Sequence, residues 1–151
     1  MVPEIHLRPA TAADQLAIRQ LIRQVGINPF DLHWPRFVVA EIDGQFAGCA
    51  QLKPHRDGSL ELASVAVQPS LQGQGIGAAL VQHFCRIVPG DLYLMCAERN
   101  ATYYTRFGFI NLQRPADMPP GLRRTYQLAR WVRPIFGGLA IMHRPPPETS
   151  P

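Results

Sequence analysis

The spacing of hydrophobic and polar residues predicts a chain built from short strands and helices. Residues 4–8 alternate between polar and apolar, as a half-buried strand does, and residues 16–25 carry apolar positions at helical spacing up to Gly26, where a helix is expected to end. Three strand-like runs follow, with Asp-Gly pairs at positions 43–44 and 57–58, and such pairs between apolar runs are strong hairpin signals. The predicted strands of this antiparallel meander are residues 37–42, 46–52 and 60–67.

The second half of the chain is predicted to alternate between helices and strands. A glycine-rich stretch at residues 72–77 opens a helix that ends before Pro89. The further predicted elements are a strand at 91–97 that is apolar enough to be buried on both faces, a short helix at 100–107, a strand at 109–112, a helix at 122–136 and a strand at 139–142. The proline-rich tail, residues 145–151, is expected to be disordered, so the pattern predicts a single domain over residues 1–144.

The composition excludes several classes of protein. A chain of 151 residues fits one core, its apolar share of 46% excludes bulk disorder, and its 12 glycines have no three-residue period, which excludes collagen. The three cysteines are scattered without a CxxC pair, so we expect no disulfide framework and no metal site. The N-terminus lacks an apolar run of signal-peptide length and no stretch is apolar enough to span a bilayer, so we expect a cytoplasmic protein without membrane contact.

The positive charge comes almost entirely from arginine. Lys+Arg 15 against Asp+Glu 11 gives a net charge of +4, and Lys53 is the one lysine. Arginine suits phosphate and carboxylate ligands, although a bias in genomic base composition would produce the same excess. The predicted helix at 122–136 carries arginines on one face. This face suits a membrane or an acidic partner. The alternative, favoured by the narrow apolar stripe, is that the helix covers the domain's own core. We expect no nucleic-acid partner, since only the net charge favours one.

The glycine-rich stretch is the strongest functional signal. A strand ends at Val67, the glycines allow a tight turn, and a helix begins at once, which points free N–H groups and the positive end of a helix dipole at one place. This arrangement suits a pyrophosphate, and the alternative is a tight turn without a ligand. No lysine follows the glycines, which excludes a Walker A loop. The dinucleotide fingerprint is matched loosely by Gly73, Gly75 and Ala78, but it belongs in a parallel sheet rather than after a meander.

Here the chain resembles the GNAT superfamily of acyl-CoA-dependent N-acyltransferases. Gln72-x-x-Gly75-x-Gly77 matches the family's Q/R-x-x-G-x-G/A signature, residues 62–67 look like its central strand, and the sequence at 104–109 is similar to its downstream Y-x-x-x-G-F element. With an opening strand and helix that also look like the family's, the resemblance covers about residues 4–113. It implies an α/β fold of the GNAT type, with a mixed, mostly antiparallel central sheet and helices on both faces.

The resemblance also implies acetyl-CoA as the cosubstrate. Backbone amides of the glycine-rich stretch would hold the pyrophosphate, the pantetheine would pair with the strand that precedes it, and a main-chain N–H near Val65 would polarise the thioester carbonyl. Asn100 lies where the family often contacts the pantetheine arm. The predicted cofactor-binding residues are Val65, Ala66, Val67, Gln72, Gly73, Gln74, Gly75, Ile76, Gly77, Ala78 and Asn100.

Two residues are predicted to be catalytic by the same resemblance. Glu61 lies eleven residues before Gln72, the spacing at which several family members place a general base, although a water chain could replace it. Tyr104 matches the family's general acid to the CoA sulfur. The alternatives are that Glu61 is a solvated residue on an alternating strand and that Tyr104 is a core tyrosine, with Tyr103 able to take either role.

Together these features predict an N-acetyltransferase that moves the acetyl group of acetyl-CoA to a primary amine by direct attack in a ternary complex. The acceptor is a small-molecule amine or a peptide amine. No pattern in residues 26–36, which we call the acceptor loop, identifies it further, and His33 and His55 are further loop residues that could line its site. The alternative function is a catalytically inactive acyl-CoA-binding or sensor module. The protein is expected to be a monomer or a homodimer.

Overall fold

The computed structural model describes residues 3–129 and 138–149. Its seven strands form one sheet in the order β1-β2-β3-β4-β5-β7-β6, with β4 and β5 parallel and the pairs β1–β2, β2–β3, β5–β7 and β6–β7 antiparallel. The predicted class, α/β with a mostly antiparallel sheet, is confirmed. The elements are β1 Ile5–Pro9, α1 Gln15–Val25, β2 Phe37–Ile42, β3 Gln45–Pro54, β4 Leu60–Val67, α2 Ile76–Ile87, β5 Leu92–Ala97, α3 Ala101–Thr105, β6 Ile110–Leu112, α4 Pro120–Ala129 and β7 Leu139–Arg144.

Three predicted elements differ from the structure. Burial alternates along β5, where Leu92 and Leu94 are buried but Tyr93 and Met95 are only partly so; the prediction of burial on both faces is therefore wrong. The short helix predicted at 100–107 is α3, Ala101–Thr105, and residue 100 belongs to a separate 3₁₀ turn that precedes it. The helix predicted at 122–136 begins at Pro120, and its last seven predicted residues lie outside the described part of the chain.

The chain folds as two compact units, and the first comprises Met1–Leu52 and Ala63–Phe84. Its core forms because the apolar positions of α1 recur at helical spacing and pack against β2, β3 and β4. The helix ends as expected at Gly26, whose φ of +76° places it in the left-handed region and whose N–H bonds to the Ile22 carbonyl at 3.1 Å. The buried residues of this core are Ala10, Ile18, Leu21, Ile22, Leu32, Phe37, Val39, Cys49 and Ala66.

The start of α1 is fixed by a partly buried ion pair. Arg8 donates two hydrogen bonds to the Asp14 carboxylate, at 2.7 and 2.9 Å, and a third to Glu41 at 2.7 Å. The bond from Arg8 lowers the pKa of Asp14 to about 2. The same carboxylate accepts the Thr11 backbone N–H at 2.7 Å, so the Thr-x-x-Asp spacing in the sequence does form a helix-start contact.

The second unit comprises Lys53–Leu62 and Cys85–Pro151. Here α4 covers strands β5, β6 and β7 through a cluster of Met118, Leu122 and Ile141, with Tyr93 and Tyr126 packed against it. These contacts support the interpretation of the C-terminal helix as a cover for the protein's own core, at least over Pro120–Ala129.

Gly48 of β3 allows the backbone of the first unit to pack closely. A Cβ at this position would lie 2.7 Å from the Ala66 carbonyl oxygen and 3.2 Å from Ile76 Cγ2. Because a backbone oxygen cannot move aside as a side chain can, we expect Gly48→Ala to lower the free energy of unfolding by about 1–3 kcal/mol. Urea unfolding followed by circular dichroism measures this change.

Gly90→Ala is the matched control for that experiment. A Cβ there meets no heavy atom within 4 Å. The free energy of unfolding should therefore stay unchanged or rise by about 0.4–1 kcal/mol, because alanine restricts only the unfolded chain. Equal losses in the two variants would contradict the close packing at Gly48.

Candidate active site

The candidate phosphate site lies between the end of β4 and the start of α2, within the first unit. Gly73 and Gly75 have φ angles of +81° and +86°, which favour glycine, whereas Gly77 lies inside the helix. A Cβ at Gly73 or Gly75 would meet no heavy atom within 4 Å, so glycine is required there by the backbone conformation and not by crowding within the chain. Ile76 is buried and holds the beginning of α2 against the core.

Backbone N–H groups are available at this turn. The Ala79 N–H bonds to the Gly75 carbonyl at 3.0 Å, which is the bond that opens α2. By helix geometry, the N–H groups of Ile76, Gly77 and Ala78 come before that bond and have no acceptor inside the helix. Gln72 to Gly75 are exposed, and the Gln72 side-chain amide donates to the Val67 carbonyl at 3.4 Å. The turn can therefore present several N–H groups to an anion at the positive end of the helix dipole.

Ser64 interrupts the regular backbone of β4 just before Val65. Its φ of +57° is unusual for a non-glycine residue and costs about 1–3 kcal/mol, a strain that often marks a functional site. Gln51 of β3 is fully buried and its side-chain amide donates to Ser64 Oγ at 2.8 Å, which holds the kink in place. Sequence reasoning missed both residues, because a serine within an apolar run does not by itself predict a positive φ.

Ten of the eleven predicted cofactor-binding residues lie on one continuous segment of the first unit, from Val65 to Ala78. Ala66 is buried in the core and Val65 and Val67 are partly exposed. Asn100 belongs to the second unit, where it is exposed at the end of the 3₁₀ turn before α3. The binding roles of these residues stay predictions.

Glu61 is a buried carboxylate with an imidazole partner. It is only 3% exposed, so it is not the solvated residue that strand alternation alone would predict. One carboxylate oxygen lies 2.8 Å from His55 Nε2, and the His55 side chain is itself 12% exposed. A buried carboxylate needs such a partner, because desolvation penalises a charge that is not hydrogen-bonded. The pair can hold, accept and orient a proton.

His55 is a site residue that sequence reasoning left as one of several loop histidines. The turn at Asp57 and Gly58 folds the chain back, with the His55 N–H bonded to the Ser59 carbonyl at 2.9 Å. This brings the imidazole beside Glu61 six residues later. The first turn of α4 packs on it, since a Cβ at Gly121 would lie 2.7 Å from His55 Cβ. The Asp-Gly pair predicts the turn, but not this contact, because His55 lies opposite Ser59 in the turn and not opposite Glu61.

Tyr104 lies in α3 among other aromatic rings. Its ring meets Tyr103 and Phe109 edge-on, with centroids 5.1 and 6.2 Å away. Burial raises the pKa of the Tyr104 phenol well above its usual value, and Cys96 and Tyr103 act in the same direction. The phenol therefore stays protonated at neutral pH and can donate a proton or a hydrogen bond. Its aromatic packing also fits a core tyrosine, so its catalytic role stays a prediction.

The Cys96 thiol is not activated as a nucleophile. Burial raises the pKa of the Cys96 thiol to about 11, which keeps it protonated and a poor nucleophile. Across residues 3–129 and 138–149, no three His, Cys, Asp or Glu side chains are grouped as a metal site would require. No helix within the same ranges has the length and apolar character needed to span a membrane.

Comparison with known proteins places the chain in a family. The model of the acetyltransferase (GNAT) domain matches residues 33–111, just over half of the chain, and the protein therefore belongs to the GNAT acetyltransferases. The matched segment includes the kink at Ser64, the glycine-rich turn, Glu61 and Tyr104. Members of this family use acetyl-CoA as the acetyl donor.

Solved structures with this fold include three informative ones. N-acetylglutamate synthase from Neisseria gonorrhoeae, complexed with coenzyme A and N-acetyl-glutamate, is 23% identical with a TM-score of 0.78; the match covers 96% of this chain but 36% of that one. Rv2747 from Mycobacterium tuberculosis, in complex with CoA, is 22% identical with a TM-score of 0.75, covering 93% and 98% of the two chains. The ribosomal-protein-S18-alanine N-acetyltransferase from Escherichia coli is 19% identical with a TM-score of 0.70, covering 97% of each. This chain thus spans about a third of the synthase, and these likenesses show the shared fold.

Proposed function

We propose that the protein transfers the acetyl group of acetyl-CoA to a primary amine by direct attack in a ternary complex. The observation that carries the proposal is the turn from β4 into α2 in a chain that belongs to the GNAT family. Two left-handed glycines precede a helix whose first N–H groups have no internal acceptor. That arrangement suits the pyrophosphate of CoA, because an anion satisfies these donors and interacts favourably with the helix dipole.

The end of β4 would hold the pantetheine arm and the thioester. Residues Val65 to Val67 pair with the arm as an added strand, and Asn100 contributes a further polar contact. The kink at Ser64 turns the backbone immediately before Val65. In this proposal a main-chain N–H near Val65 donates to the thioester carbonyl. A fixed donor of this kind stabilises the negative charge that develops on the oxygen when the amine attacks.

Glu61 and Tyr104 would move the two protons that the reaction requires. The protonated acceptor amine first gives a proton to Glu61, directly or through a water, and the neutral nitrogen then forms a bond to the acetyl carbon. The further proton that the nitrogen loses as the amide forms replaces the one that Tyr104 gives up. His55 stabilises the charged carboxylate through its 2.8 Å hydrogen bond. The bond from carbon to sulfur then breaks, and Tyr104 donates its proton to the departing thiolate. The products are the N-acetylated amine and CoA with a free thiol.

A catalytically inactive acyl-CoA-binding or sensor module is the second candidate function. It would use the same turn at residues 72–78 but would need neither Glu61 nor Tyr104. The burial of Glu61 beside His55 favours the enzyme, because a buried ionisable pair is a costly feature for a module that moves no proton. The enzyme would release free CoA thiol in the presence of an amine, whereas the sensor would not.

Tyr104→Phe tests the enzyme against the sensor. Release of free thiol from acetyl-CoA is measured across a panel of amines for the wild type and the variant. We expect amine-dependent release by the wild type and a fall of about tenfold in kcat for the variant, below the 10²–10⁴-fold of a typical general acid, because a thiolate leaves readily. Tyr103→Phe removes a neighbouring phenol and should retain the wild-type rate. If CoA binds but no amine drives thiol release, the sensor is the correct assignment.

A further inference from the structure

The acceptor loop, residues 26–36, is held by specific hydrogen bonds. Gln15 at the start of α1 donates to the Leu32 carbonyl at 2.7 Å and accepts the Trp34 N–H at 2.9 Å. Within the loop, Asn28 Oδ1 accepts the Phe30 N–H at 3.0 Å. A loop anchored in this way has a defined surface and can contribute to a binding site.

A half-open pocket lies between the loop and α1, within the first unit. It has a volume of about 350 Å³ and is lined by Arg19 and Arg23 of α1 and by residues 29–33 of the loop. Phe30 at its edge is 76% exposed, which is unusual for a large aromatic side chain. A pocket of this size admits a small molecule rather than a folded partner.

The pocket carries unbalanced positive charge. Arg19 and Arg23 are one turn apart on the same face of α1, and neither forms an ion pair with a carboxylate among the described residues. Asp31, the carboxylate that lines the pocket, lies 3.2 Å from Arg36 and 3.2 Å from His33. Two arginines that no carboxylate of residues 3–129 and 138–149 balances are suited to an anion, and a guanidinium binds a carboxylate through two parallel hydrogen bonds.

Hydrogen bonds connect this pocket to the kink in β4. The Gln51 side-chain amide, which donates to Ser64 Oγ, also donates to the Asp31 main-chain carbonyl at 3.3 Å. Asp31 has a φ of +61°, so the bond holds a strained residue of the loop. One buried side chain therefore fixes both the wall of the pocket and the residue before Val65, where the proposed function places the thioester carbonyl.

We infer that this pocket binds the carboxylate of the acetyl acceptor, and that the acceptor is a free amino acid. Arg19 and Arg23 pair with the carboxylate, which leaves the amino group of the same small molecule to attack the thioester. This inference rests on the proposed function. It adds the chemical class of the acceptor and the two residues that recognise it.

The test compares amino acids with their carboxamides, which keep the amine and the side chain but lose the negative charge. Thiol release from acetyl-CoA should show kcat/KM at least tenfold higher for the amino acids. Arg19→Ala and Arg23→Ala should each raise the KM for the amino acid about tenfold and leave kcat nearly unchanged. Arg86→Ala, which removes an exposed arginine of α2, is the matched control and should behave as the wild type.

Calorimetric titration with the same amino acids, in the presence of CoA, separates this inference from the proposed function. Binding that is lost in Arg19→Ala but kept in Arg86→Ala supports the pocket even if no turnover occurs, in which case the proposed function alone fails. The inference is overturned if amino acids and carboxamides are acetylated equally well, if only peptide amines react, or if Arg86→Ala is as defective as the two pocket variants.

Discussion

Glu61→Gln is expected to lower kcat for acetyl transfer by about 10²–10⁴-fold, the range typical of a lost general base. Glutamine has the same shape and can still bond to the His55 imidazole, which lies 2.8 Å from the native carboxylate, but it cannot take a proton. The affinity for acetyl-CoA should change little. Initial rates of thiol release, with calorimetric binding of CoA, measure both quantities.

The pH dependence of that variant distinguishes loss of a base from a structural defect. As the pH rises, more of the acceptor amine is already neutral, so the rate of Glu61→Gln should approach that of the wild type. A misfolded variant would not recover in this way. His55→Asn is a useful companion, since it removes the partner and keeps the carboxylate, and it should lose less activity. Full activity in Glu61→Gln would show that another group or a water chain is the base.

Gly75→Val is expected to weaken acetyl-CoA binding by about 10- to 100-fold, which corresponds to about 1.4–2.7 kcal/mol. Gly75 has a φ of +86°, and a β-branched residue is strongly disfavoured in this region. The turn must then adopt another conformation, and its N–H groups no longer converge on the pyrophosphate. Calorimetric titration with CoA measures the change in Kd.

Gly44→Val is the control for this effect. Gly44 lies in the turn between β2 and β3, has a φ of +74° and, like Gly75, has open space around it. The substitution therefore imposes similar backbone strain away from the candidate site. Its thermal stability should fall while its Kd for CoA stays at the wild-type value. Equal Kd values for the two variants would indicate that the glycine-rich turn does not hold the pyrophosphate.

The parts of the fold that local sequence determines were predictable. Asp43 and Gly44 both adopt positive φ in a tight turn, and an Asp-Gly pair between two apolar runs signals that turn without knowledge of the rest of the chain. The end of α1 at Gly26 and the glycines before α2 are of the same kind. In each case a few adjacent residues determine the backbone conformation. These residues mark where strands and helices end, so the order of the elements could be predicted.

The parts of the site that depend on tertiary packing were not predictable. The burial of Glu61 depends on His55 and on the first turn of α4, sixty residues further along the chain. The double role of Gln51 joins residues 31 and 64, which no periodic pattern connects. The unbalanced charge of Arg19 and Arg23 is visible only when the ion pairs are known. Sequence spacing thus indicates which residues carry chemistry, but the structure is needed to show their partners.

Acetyl transfer is tested most directly by following the acetyl group itself. Acetyl-CoA labelled with ¹³C at the acetyl carbonyl is incubated with the protein and a panel of free amino acids, and the products are identified by mass spectrometry and NMR. We expect one labelled N-acetyl amide for each CoA thiol released, with the rate reduced in Glu61→Gln. Thiol release without a labelled amide, or binding of acetyl-CoA with neither product, would contradict this expectation.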